Sequence, residues 1–192
     1  MRNPHITLAT GVLIAAMCSI APVHAQEISK STQAAASNLT GLHDFDFEFG
    51  EWRVHHRVKR AADGQWSEFD GTCSDRGLMD GWANVEDHMF NKSTGVTRGV
   101  GLRAYDPKTG QWAIWWIDGR DPFGALDPPV KGRFDNGVGT FYSDSMIDGK
   151  LIRARFIWSH ITPTTAHWEQ AFSSDAGKTW ETNWIMEFQR VP

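Results

Sequence analysis

Turn-forming groups recur at short intervals along most of the chain, and this rhythm limits the fold more than any other feature. They occupy residues 63–64, 91–95, 106–110, 135–137, 148–149 and 175–177, and each combines Gly with Asp or Asn. The runs between them are short and rich in Trp, Phe, Val, Ile and Thr, which suit a half-buried pleated surface. The pattern predicts an all-β domain of about nine or ten antiparallel strands in succession.

The run from Gly50 to Lys59 shows how such strands are buried. One face carries Trp52, Val54, His56 and Val58, and the other carries Glu51, Arg53, His55, Arg57 and Lys59. A strand with one apolar face covers a core on one side and meets water on the other. Successive hairpins of this kind form a sandwich or a closed barrel. The simple hairpin order favours an up-and-down barrel, because closure removes the exposed edges.

Alternation also assigns the inner faces of three later strands. The inward residues are expected to be Ile152, Ala154, Phe156 and Trp158; Ala166, Trp168 and Phe172; and Trp180, Trp184, Met186, Phe188 and Arg190. In a closed meander the first and last strands are antiparallel neighbours. We therefore expect the guanidinium of Arg190 to stack on the indole of Trp52 and to bond backbone carbonyls near residues 45–49.

Two segments leave alternatives open. Residues 111–118 are apolar on both faces, so we expect the leader, a loop or a second subunit to cover the outer face around Trp115. In residues 82–90, one face carries Glu86 and His88, and the other carries Ala83, Val85 and Met89. Either face could be the inner one.

Residues 1–25 have the pattern of a secretory signal peptide: Arg2, an apolar run over residues 11–20, and a small residue at Ala25. We expect cleavage after Ala25, a flexible leader over 26–41, one domain over 42–192, and a periplasmic or secreted product without a membrane span. Lipidation at Cys18 is disfavoured because Met17 is too large for the usual pattern. Export would leave Cys73 as a lone cysteine, without an internal disulfide.

The charge balance limits the partners. The formal net charge is −4, and no basic run occurs. These features argue against nucleic acid and against anionic membrane surfaces. All ten Trp lie at or after Trp52, so the folded part is rich in side chains that fill cores and line ligand pockets.

Two sets of motifs resemble known families. Phe45-Asp46 and Phe49-Gly50-Glu51-Trp52 resemble the first signature of lipocalins and their calycin relatives, and Arg190 resembles their late arginine. The resemblance implies a calycin barrel in which Arg190 packs on Trp52. The runs 105–107, 118–120, 126–129 and 168–184 resemble an uncharacterised family of bacterial exported proteins, a domain of unknown function with a lipocalin-like barrel. That resemblance implies the fold and supplies no reaction.

A local match covers residues 173–180, which fit the Asp-box pattern Ser-x-Asp-x-Gly-x-x-Trp known from sialidase propellers. The pattern occurs once, and we interpret it as a β-hairpin turn. Asp175 is expected to bond backbone N–H groups, Gly177 to adopt a positive φ, and Trp180 to anchor the returning strand.

The sequence contains no nucleophile elbow, P-loop, zinc-protease motif or paired cysteines. His55 and His56 point to opposite faces of a strand, so we predict no metal site there, and no cofactor. The candidate ligand-binding residues are His56, Glu86, His88, Trp116, Asp118, Arg120, Trp158 and Trp184.

Four of these candidates carry alternatives. His56 is either a buried neutral histidine with one hydrogen bond or a polar anchor in an aromatic cavity. Glu86 and His88 could exchange a proton if they face inward. Arg120, in the rim loop 118–129, either binds an anionic group of the ligand or pairs with Asp118 or Asp127.

These features favour an exported barrel that binds a small apolar or amphipathic ligand, rather than an enzyme. One alternative is a cavity-type isomerase or hydrolase that uses His56, Glu86 or His88 with Arg120. Others are a haem-binding barrel with His56 or His160 as the axial ligand, and a structural or interaction module. The sequence leaves the ligand and the oligomeric state open.

Overall fold

Ten strands with alternating burial close into one antiparallel barrel. The structure, a computed structural model, describes residues 39–60, 63–147 and 149–192. The strands are β1 (Gly50–Lys59), β2 (Trp66–Leu78), β3 (Ala83–Lys92), β4 (Gly95–Asp106), β5 (Gln111–Asp118), β6 (Val130–Asp135), β7 (Val138–Ile147), β8 (Lys150–Ser159), β9 (Thr165–Ser173) and β10 (Glu181–Arg190). Each strand pairs with its neighbours in the chain, and β1 pairs with β10. The predicted up-and-down barrel is confirmed. The predicted signal peptide and residues 26–38 of the leader lie outside the described residues.

The barrel closes where Trp52 and Arg190 face each other across β1 and β10. The Arg190 guanidinium lies 4.2 Å from the centroid of the Trp52 ring. It also donates to the carbonyl oxygens of Phe47, Phe49 (2.6 Å) and Pro163 (2.7 Å). Gly50 permits this approach, because its φ is +116° and a Cβ there would lie 2.9 Å from Nη1 of Arg190. The predicted contact is confirmed.

The segment before β1 plugs the same end of the barrel. A 3-10 turn covers Asp46–Glu48, and the Phe45 ring is fully buried, 5.1 Å from the rings of Trp112 and Phe134. The indole N–H of Trp52 donates to the backbone oxygen of Glu48 at 2.6 Å. Trp112 donates to the Gly41 carbonyl at 2.8 Å. This plug fills the floor with aromatic rings and buries the Glu48 side chain inside the barrel.

The inner face of β3 settles the alternative left open for residues 82–90. Asn84, Glu86, His88 and Phe90 are buried, whereas Val85, Asp87 and Met89 are only partly buried on the outer face. A second 3-10 turn, Met79–Gly81, joins β2 to β3 and fixes their register, which places Cys73 opposite His88. Glu86 and His88 therefore face into the barrel.

The predicted inward position of Trp180 is wrong. β10 begins at Glu181, and its pairing with β9 shifts register between Thr182 and Trp184. This irregularity breaks the alternation, so the Trp180 ring lies outside, 4.4 Å from the Arg155 guanidinium and 5.9 Å from the Tyr142 ring. The rest of the hairpin turn forms as expected. Asp175 accepts from the backbone N–H groups of Lys178 and Thr179, and Gly177 has φ +88°.

The outer face of β5 keeps its apolar character. Trp115 is partly buried and faces Leu102 of β4, which is exposed. The predicted cover for this face stays a prediction. None of the helical segments in the described ranges is long and apolar enough to span a bilayer.

Candidate functional site

The barrel wall parts between β5 and β7. β5 pairs with β6 only over Trp112–Ile114 and Val130–Gly132. On β7, pairing with β6 ends at Tyr142, whereas pairing with β8 continues to Ile147. The upper edges of β5 (residues 115–118) and β7 (residues 143–147) therefore have no strand between them. The exposed loop 119–129 spans this gap.

A cavity of about 260 Å³ lies behind the gap. Its walls are mainly aromatic and aliphatic, and its polar groups lie at the inner end and at the mouth. The lining residues are Trp116, Phe156, Trp158, Trp168, Phe172, Trp184, Ile114, Val130, Met146, Ile147, Ala154, Met186, Pro128, Glu86, Arg103, Gln170, Ser143, Ser145 and Asp127. A concave, mostly apolar site with a few placed polar groups is typical of small-molecule binding.

The mouth of the cavity has an exposed apolar rim. Phe123, in the loop, is 99% exposed. Leu126 of the same loop and Met146 and Ile147 at the end of β7 are also exposed. Met146 and Ile147 border the cavity, whereas Phe123 and Leu126 belong to the loop that spans the gap, so exposed apolar side chains occur in both segments next to the opening.

The inner end of the cavity carries a buried charge cluster around Arg103. This guanidinium is 1% exposed. Its Nη1 lies 2.9 Å from Glu48 and 3.0 Å from Asp75, and its Nη2 contacts Glu86. Nη1 also donates to Asn84 at 3.1 Å. Arg103 further stacks on the Phe45 ring at 4.4 Å. One cation is therefore surrounded by three buried carboxyl groups, and acid is in excess.

Because acid is in excess, the three carboxyl groups differ in their protonation. Burial raises the pKa of Asp75 to about 7, because the opposing charge of Arg103 offsets only part of the desolvation. Burial likewise raises the pKa of Glu48 well above its ordinary range. For Glu86, burial acts in the same direction, but the charges of Arg103 and His88 outweigh it and lower the pKa. We infer that Glu86 holds the negative charge opposite Arg103, while Glu48 and Asp75 retain protons in mild acid.

His88 lies beside this cluster without a hydrogen bond. Its ring is fully buried, and neither ring nitrogen makes a hydrogen bond to any described residue. Nε2 lies 3.4 Å from Oε2 of Glu86, which is an electrostatic contact at that length. The Cys73 thiol, Glu86 and His88 place one ligand-type atom each within 4.8 Å of one another. No metal site was predicted from the sequence, and this juxtaposition was not anticipated.

His56 is a buried neutral histidine, as the first of its two alternatives held. The Trp184 indole N–H donates to its Nδ1 at 3.3 Å, which assigns the ring proton to Nε2. Phe69 stacks on the ring at 4.8 Å and Phe90 meets it at 5.0 Å. Burial, followed by the charge of His88, lowers the pKa of His56 to about 3. His56 therefore packs the upper barrel behind Trp184 and does not line the cavity.

The candidate residues separate into three groups. Glu86, Trp116, Trp158 and Trp184 line the cavity. His56 and His88 are buried next to it. Asp118 and Arg120 lie outside it, since Arg120 is an exposed partner of Asp118, with a shortest separation of 2.5 Å. Arg120 does not border the cavity, and the role of orienting an anionic group of a ligand stays a prediction. The alternative pairing with Asp118 is the one that forms.

The haem alternative finds little support in the placement of its histidines. His160 is exposed in the turn after β8, with its ring 5.6 Å from that of His167. His56 is enclosed by aromatic rings. Neither borders the cavity.

Sequence reasoning missed Arg103, Glu48, Asp75 and Cys73. A signal for Arg103 existed, because it shares strand parity with Tyr105 and with Gly99 and Gly101. The two glycines look like weak strand residues, but a Cβ at Gly101 would overlap the Glu86 carboxylate, and one at Gly99 would overlap the Trp116 ring. They leave the inner space that these larger side chains occupy.

No family model matches the chain, and no curated protein sequence matches it. The solved structures that are similar to this chain include two with a TM-score above 0.5. The S-type phycobiliprotein lyase CPES from Guillardia theta is 12% identical with a TM-score of 0.54, and the match covers 82% of this chain and 96% of the lyase. Rv2717c from M. tuberculosis is 10% identical with a TM-score of 0.52, and the match covers 82% of this chain and 98% of that protein. At these identities the likeness concerns the fold alone, a lipocalin-like closed barrel.

Proposed function

We propose that this protein binds one small apolar or amphipathic molecule in the cavity between β5 and β8. The observation that carries the proposal is the cavity itself, which six Trp and Phe side chains border. Side chains fill the floor of the barrel and the region around His56, so the cavity is the space left for a ligand. Its volume of about 260 Å³ exceeds that of an engineered apolar cavity of roughly 150 Å³ that takes up benzene. A ligand of one to three fused or linked rings fits this space.

An unpaired donor supports a ligand with a polar end. Trp158 borders the cavity and is 1% exposed, and its indole N–H makes no hydrogen bond to any described residue. A buried donor without a partner costs about 1–3 kcal/mol. A ligand oxygen that accepts this hydrogen bond removes the cost. The preferred ligand is therefore an aromatic or alicyclic molecule with at least one acceptor, such as a carbonyl.

The first experiment identifies what the protein carries. Native mass spectrometry of the protein purified from its natural source, followed by solvent extraction, should reveal a bound small molecule. Calorimetric titration with naphthalene and with 2-acetylnaphthalene then tests the polar end. Trp158→Phe keeps the aromatic surface and removes the donor. We expect this variant to bind 2-acetylnaphthalene about fivefold more weakly, because one hydrogen bond is lost, and to bind naphthalene with unchanged affinity.

A filled cavity is the control. Ala154→Leu places added volume against the lining, whereas Ala113→Leu adds the same volume on the outer face of β5. The first change should abolish binding of both probes, and the second should preserve it. If Ala154→Leu binds both probes as tightly as the wild type does, the cavity is not the binding site. If the wild type carries no molecule and binds neither probe, the proposal is refuted.

The place of action that fits this function is outside the cytoplasm. The pattern of residues 1–25 supports export and cleavage after Ala25. Cell fractionation of a C-terminally tagged chain, with N-terminal sequencing of the product, tests this. A full-length chain retained in the cytosol would contradict it.

A further inference from the structure

We propose that Cys73, Glu86 and His88 form a binding site for a divalent transition-metal ion, with zinc as the best-fitting ion. The inference does not depend on the small-molecule proposal, because Cys73 and His88 do not border the cavity and only Glu86 is shared. The three residues come from adjacent strands β2 and β3. Cys73 and His88 are cross-strand partners, and Glu86 precedes His88 by two positions on the same inner face.

The ligand set and its spacing suit zinc. Thiolate, imidazole and carboxylate are the three protein ligands that zinc prefers, and a tetrahedral ion separates a nitrogen and an oxygen ligand by about 3.3 Å. The observed separation between Nε2 of His88 and Oε2 of Glu86 is 3.4 Å. The Cys73 sulphur lies within 4.8 Å of one ring nitrogen of His88 and one carboxylate oxygen of Glu86, so a shift of about 1 Å brings it to the distance that a tetrahedral site requires.

The unsatisfied imidazole is the second observation that points to a ligand. His88 is fully buried, yet neither of its nitrogens makes a hydrogen bond to a described residue. A buried histidine normally finds at least one partner, because an orphaned polar group costs about 1–3 kcal/mol. Coordination through Nε2 would give this ring the partner that the protein itself does not supply.

Acidic side chains lie next to the three proposed ligands. Glu48, Asp75 and Glu86 form a second acidic group, but the Arg103 guanidinium already lies within it, with Nη1 at 2.9 Å from Glu48. The three carboxyl groups outnumber the one guanidinium, so this end of the barrel holds more acidic oxygen atoms than cationic groups. Arg103 also holds the Glu86 carboxylate in place, as outer-shell partners do for metal ligands.

Access to the site is from the ligand cavity. Glu86 borders the cavity, and so does Trp116, whose ring lies 5.7 Å from that of His88. Three protein ligands leave the fourth position of a tetrahedral ion open, which is the arrangement of reactive zinc sites rather than structural ones. The fourth ligand would be water or an oxygen of a molecule in the cavity.

Titration of the chelator-treated full chain with Co²⁺ and Zn²⁺ tests the inference. Cobalt bound to a thiolate shows sulphur-to-metal charge-transfer absorption, and tetrahedral cobalt shows intense visible bands. We expect both at one ion per chain, with zinc displacing the cobalt. Cys73→Ala should abolish the charge-transfer band, and His88→Gln should weaken binding at least tenfold. His55→Gln, on the outer face of β1, is the matched control and should bind as the wild type does.

The outcomes are decisive in both directions. Absence of the charge-transfer band in the wild type, or its persistence in Cys73→Ala, would overturn the site. Unchanged cobalt affinity in His88→Gln would do the same. Circular dichroism and urea unfolding of each variant show whether it is folded. Binding of naphthalene to the metal-free chain separates this result from the small-molecule proposal, since that binding needs no ion.

Discussion

Replacing Asp75 by Asn should stabilise the protein, and by an amount that grows with pH. Asp75 is buried and its Oδ2 accepts from Arg103 at 3.0 Å, a bond that an Asn oxygen can also accept. Its pKa is raised to about 7 in the folded chain, mainly by burial, against about 3.9 in an unfolded chain. The folded state therefore binds the proton more tightly, and the wild type loses stability as the pH rises from about 4 to about 7.

The magnitude follows from the two pKa values. One pKa unit corresponds to about 1.4 kcal/mol, so the full difference is about 4 kcal/mol. The stability that Asn adds relative to Asp should rise from less than about 1 kcal/mol at pH 4 to about 4 kcal/mol at pH 8. Any fixed difference between the two side chains adds a constant and leaves this slope unchanged.

The variant must be compared with the wild type at each pH, because other groups oppose the effect. Burial lowers the pKa of His56 to about 3, so the unfolded chain binds its proton more tightly and stability falls as the pH drops from about 6.5 to 3. The effects of Asp75 and His56 on the free energy of unfolding have opposite pH dependence and partly cancel in the wild type. Subtracting the wild-type values from those of Asp75→Asn at each pH leaves the contribution of Asp75.

The assay is urea unfolding between pH 4 and pH 8 in the presence of a chelator. Asp87→Asn, on the outer face of β3 and paired with Arg98, is the matched control and should shift stability by less than about 1 kcal/mol. A difference between Asp75→Asn and wild type that stays constant or shrinks as the pH rises would refute the assignment of Asp75 as a protonated group in mild acid.

Three further changes probe the barrel. Arg190→Ala removes the stacking on Trp52 and three hydrogen bonds to carbonyls, so urea unfolding should show that the free energy of unfolding falls by about 3 kcal/mol. Arg53→Ala on the outer face is the control. Naphthalene binding by Arg190→Ala should persist because the cavity lies elsewhere. Gly101→Ala drives a Cβ into the Glu86 carboxylate and should cost about 1–3 kcal/mol; a neutral or stabilising result would contradict the packing described for β4. Arg120→Ala removes an exposed pair with Asp118 and should change stability by less than about 1 kcal/mol; calorimetry should show unchanged probe affinity, and a loss of affinity would return Arg120 to the site.

The barrel itself was predictable because strand parity survives from sequence to structure wherever the ladder is regular. Trp52 and Arg190 could be placed together from parity and hairpin order alone. Parity placed Trp180 wrongly, because the register shift between Thr182 and Trp184 reverses the alternation. No residue type in that stretch indicates the shift. A pattern of period two can be extrapolated only as far as the next irregularity.

The aromatic half of the site was predictable and the charged half was not. Trp116, Trp158 and Trp184 are large side chains at inward parity, so their burial follows from the pattern. The cluster around Arg103 joins β2, β3 and β4 to the turn before β1, which contributes Glu48. Its assembly depends on the register of two hairpins and on how the plug enters the barrel. Neither can be derived from residue types, because each charged side chain alone looks like part of a solvated face.

Because β5 and β7 are separated by a gap, the residence time of a ligand should not depend on the stability of the barrel. Gly119, the first residue of the loop 119–129, donates to Arg98 of β4, whereas the bonds from Asp121 to Asp118 and from Gly124 to Asp121 are local. The loop beyond Gly119 can therefore detach without breaking a hydrogen bond between paired strands. Such local openings lie at the low end of the free-energy scale measured by amide hydrogen exchange. Residence time in the cavity should follow the exchange rates of loop amides, and changes that strengthen the floor around Trp52 should leave it untouched.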